Sequence, residues 1–479
     1  MKKKYKLYDI IVVGSGLSSL SFIQSYLEKK NNLDVLSPHN IKLKFKDKIK
    51  NNLNNHIFKI LPPQMLGKEK TVKDYFFYNQ IKIKKNCKLF GSLEFGGLSN
   101  YWGLQIDKDI FSDISHLSKK TSNAISKSFL ELFSKLNLLG QFKLDNKTIY
   151  NSFKKDDFVK KNLMFNDINL FNQEPILAYQ KKAKNFFNLS NINEEKDKLA
   201  PKNFHKKYLK KKRINFHNFF VKKINKNSKF LELICSDGKI EKKYYTKKLV
   251  LGASTIMTTK LLLDYLNIKK EVKINHHPRL FTLYFSRSKW KNNMKFQPSH
   301  FHLKSKKQKD LFVADFRPGN NIIIDAIVNF KKFLFPFKFI LNALRQNMIF
   351  SNIFLHPKFG NLFIKYNKKE NVFMIYSKNK DLKNIFSKIS QLILKFLKRS
   401  KQFFPFHINY FPGFGADFHY FGTFNIGNGK SKLSVNEKCQ LKADKRIYLI
   451  DGSIFNFKKN KYPLGVIMAN ARRVAKLIK

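Results

Sequence analysis

A short apolar, β-branched run from Tyr8 to Val13 ends in Gly14-Ser15-Gly16 and gives way at Leu17 to residues with helical spacing that continue to Glu28. This junction constrains the fold more than any other feature of the chain. Two glycines one residue apart let the backbone turn tightly and approach a ligand closely, while the helix that follows presents free N–H groups at its N-terminus. Residues Leu33 to Leu36 read as a second strand. The chain therefore opens as a βαβ unit whose first turn suits a pyrophosphate. Ser19 replaces a third glycine at the point where helix and strand pack, a small-for-small exchange. Ser37 stands where an acidic residue usually grips a ribose hydroxyl. That contact is expected to be weaker or to come from elsewhere.

A chain of 479 residues exceeds one ordinary core, so two interleaved domains are expected. With 43% hydrophobic and 15% aromatic residues it has ample surface to bury, which excludes a disordered chain. The 94 Lys and Arg residues outnumber 33 Asp and Glu, for a formal charge of +61, a balance that suits nucleic acid or an anionic membrane. Most of the cations are Lys and travel with Asn, Ile and 50 Phe, which is also what an AT-rich genome imposes through its codons. Nucleic-acid readers favour Arg within recognisable modules, and none is found, so no nucleic-acid partner is expected. Cys87, Cys235 and Cys439 lie far apart with no CxxC pattern, which indicates neither a disulfide framework nor a metal site. The basic N-terminus resembles an export signal only until Gly14 and Gly16 interrupt the apolar run. No stretch approaches the ~20 apolar residues of a spanning helix. A cytoplasmic location is expected, with a membrane face as the alternative site of action.

Farther along, residues Asn40 to Asn86 are Lys/Asn-rich with weak periodicity and read as a surface excursion, and residues 111–200 read as mostly helical and polar. Alternation from Ile214 to Val250, including Phe219-Phe220-Val221 and a Ser-Asp-Gly-Lys turn, predicts strands and a hairpin. Leu249 to Ser254 reads as a returning parallel strand that ends in a small-residue turn with Ala253 in it. From about 286 to 410, Phe-rich strands alternate with basic helices and predict a second domain. Within it, interleaved Phe and Lys from Phe330 to Leu341 suit either a buried core or an interface where rings enter the acyl boundary and ammonium groups reach anionic headgroups.

A second glycine loop, Gly96-Gly97-Leu98-Ser99-Asn100-Tyr101-Trp102-Gly103, would let backbone lie against a flat ring while Trp102 anchors it. Near the C-terminus stand His419-Tyr420-Phe421-Gly422-Thr423, then Asp451-Gly452-Ser453 at the end of an apolar run, then Pro463-Leu464-Gly465 opening a final helix. Together these motifs resemble the glucose-methanol-choline family of flavoprotein oxidoreductases. The resemblance also touches Val250 to Ser254 and His276-His277-Pro278, and covers about half the chain. Tyr101 stands where relatives with covalent FAD carry histidine, which implies noncovalent FAD.

The resemblance implies an α/β architecture, α+β overall, with a Rossmann-type FAD domain from residues 1–110, 201–285 and 425–479. A substrate domain built on an antiparallel sheet would take residues 111–200 and 286–424. It further implies that Gly14, Gly16, Leu17, Ser19 and Ser37, then Gly96, Gly97, Ser99, Asn100 and Trp102, hold the cofactor. Val221, Ala253, Asp451, Gly452, Pro463 and Leu464 complete that set. His419 would be the base that takes the hydroxyl proton as hydride leaves the same carbon for the flavin. The family's second His or Asn aligns on Tyr462, with Asn460 reachable by a two-residue shift; His276 and His277 read as structural. The expected reaction is oxidation of a C–OH group on a sugar, polyol, sterol or aliphatic alcohol, lipid-linked if Phe330 to Leu341 meets a membrane. The competing reading is a basic peripheral membrane or nucleic-acid binding protein that keeps an inactive nucleotide scaffold.

Overall fold

The computed structural model describes residues 5–30, 32–39, 68–107, 113–135, 140–141, 163–165, 168–173, 176–178, 198–287, 289, 301–305, 311–319, 321–330, 332–379, 382–398, 403–427, 431–458 and 461–478. They form a mixed α/β structure with several sheets.

The sheet that organises the rest starts at β1 (Leu7–Val13), whose Ile10 to Val13 are buried. The turn then leads into α1 (Leu17–Tyr26), and β2 (Asn32–Leu36) follows. The chain returns to this sheet as β3 (Arg213–His217) and β4 (Glu241–Leu251), continues into α2 (Thr255–Tyr265), and comes back near its end as β5 (Asp444–Leu449) followed by α3 (Leu464–Leu477). The spatial order is β3-β2-β1-β4-β5, every adjacent pair parallel. Val13 is in register with both Leu36 and Leu251, and Leu251 with Leu449. The carboxyl ends of four strands therefore share one edge. Consecutive strands leave β1 in opposite directions, which opens a crevice there.

Burial explains why these segments read as apolar runs. Val12, Val35, Val250 and Leu449 are fully buried, as expected for parallel strands covered on both faces. Helices α1 and α3 pack side by side, and Arg472 crosses between them to reach Glu28 at 2.7 Å. On the edge of β4, the strands Phe220–Lys226 and Leu231–Ser236 form an antiparallel extension. Its hairpin turn holds Gly238 at φ +89°, and Asp237 Oδ1 accepts from the Lys239 and Ile240 amides at 2.7 and 2.9 Å.

A second sheet is antiparallel throughout. Its order is 403–410, 279–286, 348–355, 312–318, 301–305, 168–173 and 163–165. The helix Lys383–Lys398 packs on its 403–410 edge, burying Phe386, Ile389, Ile393, Phe396 and Leu397 at helical spacing. A smaller sheet joins Val272–Asn275, Asn361–Asn367, Val372–Ser377 and Ile81–Ile83. No helix among the described residues is long and apolar enough to cross a membrane.

Two expectations are corrected. The described part of residues 40–86 is no surface excursion: the helix Glu69–Tyr78 buries Val72, Tyr75 and Phe76. That i, i+3, i+4 stripe is short and lies among Lys and Asn, which hide its period. Residues 111–200 are not mostly helical where described. Besides the helix Lys119–Lys135 they supply strands, of which Leu163–Phe165 and Ile168–Gln173 extend the antiparallel sheet. Leu163–Phe165 pairs with the neighbouring Ile168–Gln173, whose other partner, Phe301–Ser305, lies more than a hundred positions away, so no local pattern announces that second pairing.

Candidate functional site

A crevice opens at the carboxyl edge of β1. Its floor is the Gly14 turn. Gly14 has φ +107°, and a Cβ there would lie 2.3 Å from the Gly252 carbonyl oxygen, so two backbones cross where only glycine fits. Ser19 lies beneath the turn, fully buried, and donates to the same carbonyl at 3.3 Å.

The two glycine loops, about eighty residues apart, meet at this turn. Ser15 Oγ accepts from the Gly96 amide at 2.8 Å and from Ser37 Oγ at 2.6 Å. Ser99 Oγ accepts from the Leu17 amide at 3.2 Å, at the first turn of α1. Gly96 adopts φ +91°, where a Cβ would meet Pro201 at 2.5 Å. Trp102 Nε1 donates to the Leu199 carbonyl at 2.8 Å and Asn100 Nδ2 to the Phe95 carbonyl at 2.8 Å, which fixes the loop from behind.

Of the residues singled out from the sequence, Gly14, Gly16, Ser37, Gly96, Gly97, Ser99, Val221, Ala253, Asp451, Gly452 and Leu464 line this crevice. Leu17, Ser19 and Asn100 support it through the bonds above, whereas Trp102 and Pro463 border an adjoining pocket. Asp451 spends its carboxylate inside the protein, accepting from the Ser453 amide at 3.0 Å and from the Thr258 hydroxyl; burial raises its pKa. Asn460 lies outside the described residues. Sequence reading missed Tyr75, on the Glu69–Tyr78 helix, and Asn79, which caps that helix; both line the crevice. Their signal was the buried stripe overlooked in that helix.

The adjoining pocket opens against the antiparallel sheet and holds His419 and Tyr462. The loop carrying His419 is tightly built. Phe418 takes a left-handed φ of +66°, a conformation that costs a non-glycine residue about 1–2 kcal/mol, and its ring stacks on Phe90 at 4.6 Å. Asp417 Oδ2 accepts from the His277 amide at 2.9 Å and the His419 amide at 3.3 Å, while its Oδ1 meets His276 Nδ1 at 2.9 Å. His276 and His277 are thus fully buried braces of the loop. Tyr420 pins the far side, donating to the Gly415 carbonyl at 2.7 Å and accepting from the Phe90 amide at 2.9 Å.

The His419 ring stacks on Phe354 at 5.1 Å and faces the Tyr462 ring edge-on at 6.2 Å. Its Nδ1 is buried without a hydrogen-bond partner. Burial, opposed by Asp417 and reinforced by Arg279, lowers its pKa to about 4. The imidazole is therefore neutral at physiological pH and free to accept a proton. Burial holds the Tyr462 hydroxyl well above the usual phenol value, which keeps it a donor.

Among the described residues, no cluster of His, Cys, Asp and Glu could hold a metal ion. No protein-family model and no curated protein matches the chain.

Proposed function

We propose that this chain is an FAD-dependent oxidoreductase of the glucose-methanol-choline type, which holds FAD noncovalently in a Rossmann-type domain and oxidises a C–OH group of a sugar, polyol or other alcohol. The observation that carries the reading is continuity: Leu98, Ser99, Phe418, Tyr420, Leu464 and Ile467 line both the glycine crevice and the His419 pocket. A long cofactor in the first would end where the second begins.

The residues present fit FAD. The β3-β2-β1-β4-β5 order puts the crevice at a strand switch point, where open parallel sheets bind nucleotides. The bare backbone of the Gly14 turn suits a pyrophosphate, and apolar Val13, Val221, Met257 and Leu261 line the rest of the crevice. Leu464 at the N-terminus of α3 borders both cavities, so the positive end of a fourteen-residue helix favours negative charge there.

FAD, when bound, supplies the two-electron acceptor that the oxidation requires. The chain contributes the rest. Neutral His419 takes the substrate hydroxyl proton, and Asp417 fixes its loop through the amide contacts. The Tyr462 hydroxyl, held protonated, orients the substrate oxygen. Pocket walls of Phe354 and Phe418 keep water away from the reacting carbon.

The purified protein should be yellow, release FAD on heat denaturation, and bleach anaerobically with an alcohol substrate. A protein that stays colourless after incubation with FAD overturns the reading in favour of an inactive scaffold.

A second reading, action at an anionic membrane, rests on a separate observation. Phe333, Phe335, Phe337 and Phe339 are 51–71% exposed, while Leu334 and Leu341 from the same stretch pack inward around Leu283 and Met348. Phe406 and Ile408 on the edge strand add 52% and 58% exposed side chains beside them, Phe406 contacting Phe285 of that cluster at 5.0 Å. Exposed rings on a chain of formal charge +61 suit acyl boundary and anionic headgroups. Co-sedimentation with phosphatidylserine vesicles at physiological salt tests it; failure to bind removes it.

A further inference from the structure

The most unusual group in the His419 pocket is Arg279, the first residue of the strand Arg279–Ser286. It is 5% exposed, and its Nε and Nη2 have no hydrogen-bond partner. A guanidinium has five donors, and burial removes the water that would otherwise pair them. Folded proteins normally answer such a group with a carboxylate.

Two buried carboxylates lie within electrostatic range, yet both are already filled by other donors. Asp315 Oδ1 accepts from the Asn352 amide and side chain at 3.2 and 2.8 Å, and its Oδ2 from Gln105 and Arg317 at 3.0 Å each. Asp417 is taken by His276, His277 and the His419 amide. Arg279 instead lies over the Phe281 ring at 4.2 Å, with Phe418 at 5.5 Å and Phe354 at 5.9 Å. Aromatic faces fix the plane of the guanidinium and offset part of its charge, but they accept none of its hydrogen bonds. Even with its pKa lowered to about 10 by burial, Arg279 is a cation at neutral pH.

We propose that the His419 pocket takes an anionic substrate, an alcohol that also carries a carboxylate or a phosphate, with that group held by the Arg279 guanidinium. The guanidinium suits either oxyanion in a charge-assisted contact. Binding would then do two things: offset the charge of Arg279, and fix the distance from the anionic group to the hydroxyl delivered to His419. The inference rests on the proposed oxidation only for the role of that hydroxyl; the anion site itself stands on the Arg279 environment.

The test reads the pocket directly and does not need turnover. His419 ring signals, identified by their loss in His419→Ala, are followed by NMR while the protein as purified is titrated with acetate, with inorganic phosphate, and with acetamide as the neutral control. Saturable displacement of the His419 signal by acetate or phosphate and not by acetamide is expected, and which anion acts distinguishes carboxylate from phosphate. In Arg279→Met the apparent affinity should fall by about tenfold or more, and in Arg279→Lys by less. No saturable displacement by either anion, or one undiminished in Arg279→Met, overturns the proposal. If Arg279→Met does not fold, Arg279→Lys carries the comparison, and an anion affinity undiminished there overturns the proposal. A colourless protein would sink the flavin reading and leave this titration interpretable.

Discussion

The glycine crevice and the His419 pocket adjoin, but they are made of different material. Around the Gly14 turn the crevice is framed by backbone and by small side chains: Gly14, Gly16, Ser37, Gly96, Ser99 and Gly252. The pocket is framed by large and charged ones: Arg279, Asp315, Arg317, Asp417, His419 and Tyr462. A ligand present in every turnover can be held by backbone geometry, shaped in advance by glycines that cost little once the fold is set. A substrate must be distinguished from its analogues and must exchange a proton. Only side chains of defined charge and pKa do that.

The sharpest way to break the comparison is to put a side chain where the crevice needs none. Gly14→Val would drive its Cβ within 2.3 Å of the Gly252 carbonyl at φ +107°, and should cost more than about 4 kcal/mol, seen as insoluble or flavin-free protein. Gly97→Ala is the mild counterpart. Its Cβ would meet nothing closer than 3.9 Å, at φ +53°, so only the left-handed conformation is penalised, by about 1 kcal/mol. A folded, yellow Gly14→Val protein would show that the turn is not the floor of the site.

Next in size is the pocket's chemistry. His419→Ala should keep the flavin absorbance and lower kcat by about 10²–10⁴; unchanged turnover would remove the base assignment. The pH profile sharpens the point. With His419 lowered to about 4, the unfolded chain binds an additional proton at this site between about pH 6.5 and 4. The stability this residue contributes is therefore complete above 6.5 and is lost as pH falls through that window. By contrast kcat/KM should stay level through it and drop about tenfold per pH unit only below pH 4. An acid limb near 6.5 would mean that another group is the base. The smallest effect is expected at the surface. Replacing Phe333, Phe335 and Phe339 together by Ser should weaken binding to anionic vesicles several-fold and move stability by less than about 1 kcal/mol, because all three rings are 68–71% exposed.

How much of each region was legible follows from the same contrast. The crevice was readable because its chemistry is local: Gly14 and Gly16, the Gly96-Gly97 loop and the apolar runs of β1 and β4 each announce themselves within ten residues. Tyr75 escaped because three buried apolar positions in a ten-residue helix that also carries Glu, Lys and Asp show little period. In the pocket, His419 and Tyr462 were found through motifs, but Arg279 was not, although it follows His276-His277-Pro278 directly. A lone arginine in a chain with 94 basic residues carries no signal. Burial and the engagement of Asp315 and Asp417 by other donors are what single it out.

By itself the sequence determined the opening βαβ unit, the tight turn at Gly14, and the apolar runs of β1 and β4, since backbone freedom and hydrophobic period are properties of neighbouring residues. The tertiary structure alone decided that Ser99 caps the first turn of α1, that strands near residue 170 join one near 303, and that Arg279 faces the His419 pocket. Those contacts join segments tens to hundreds of positions apart. Their energy depends on what the rest of the chain has already buried around them, which no local pattern encodes.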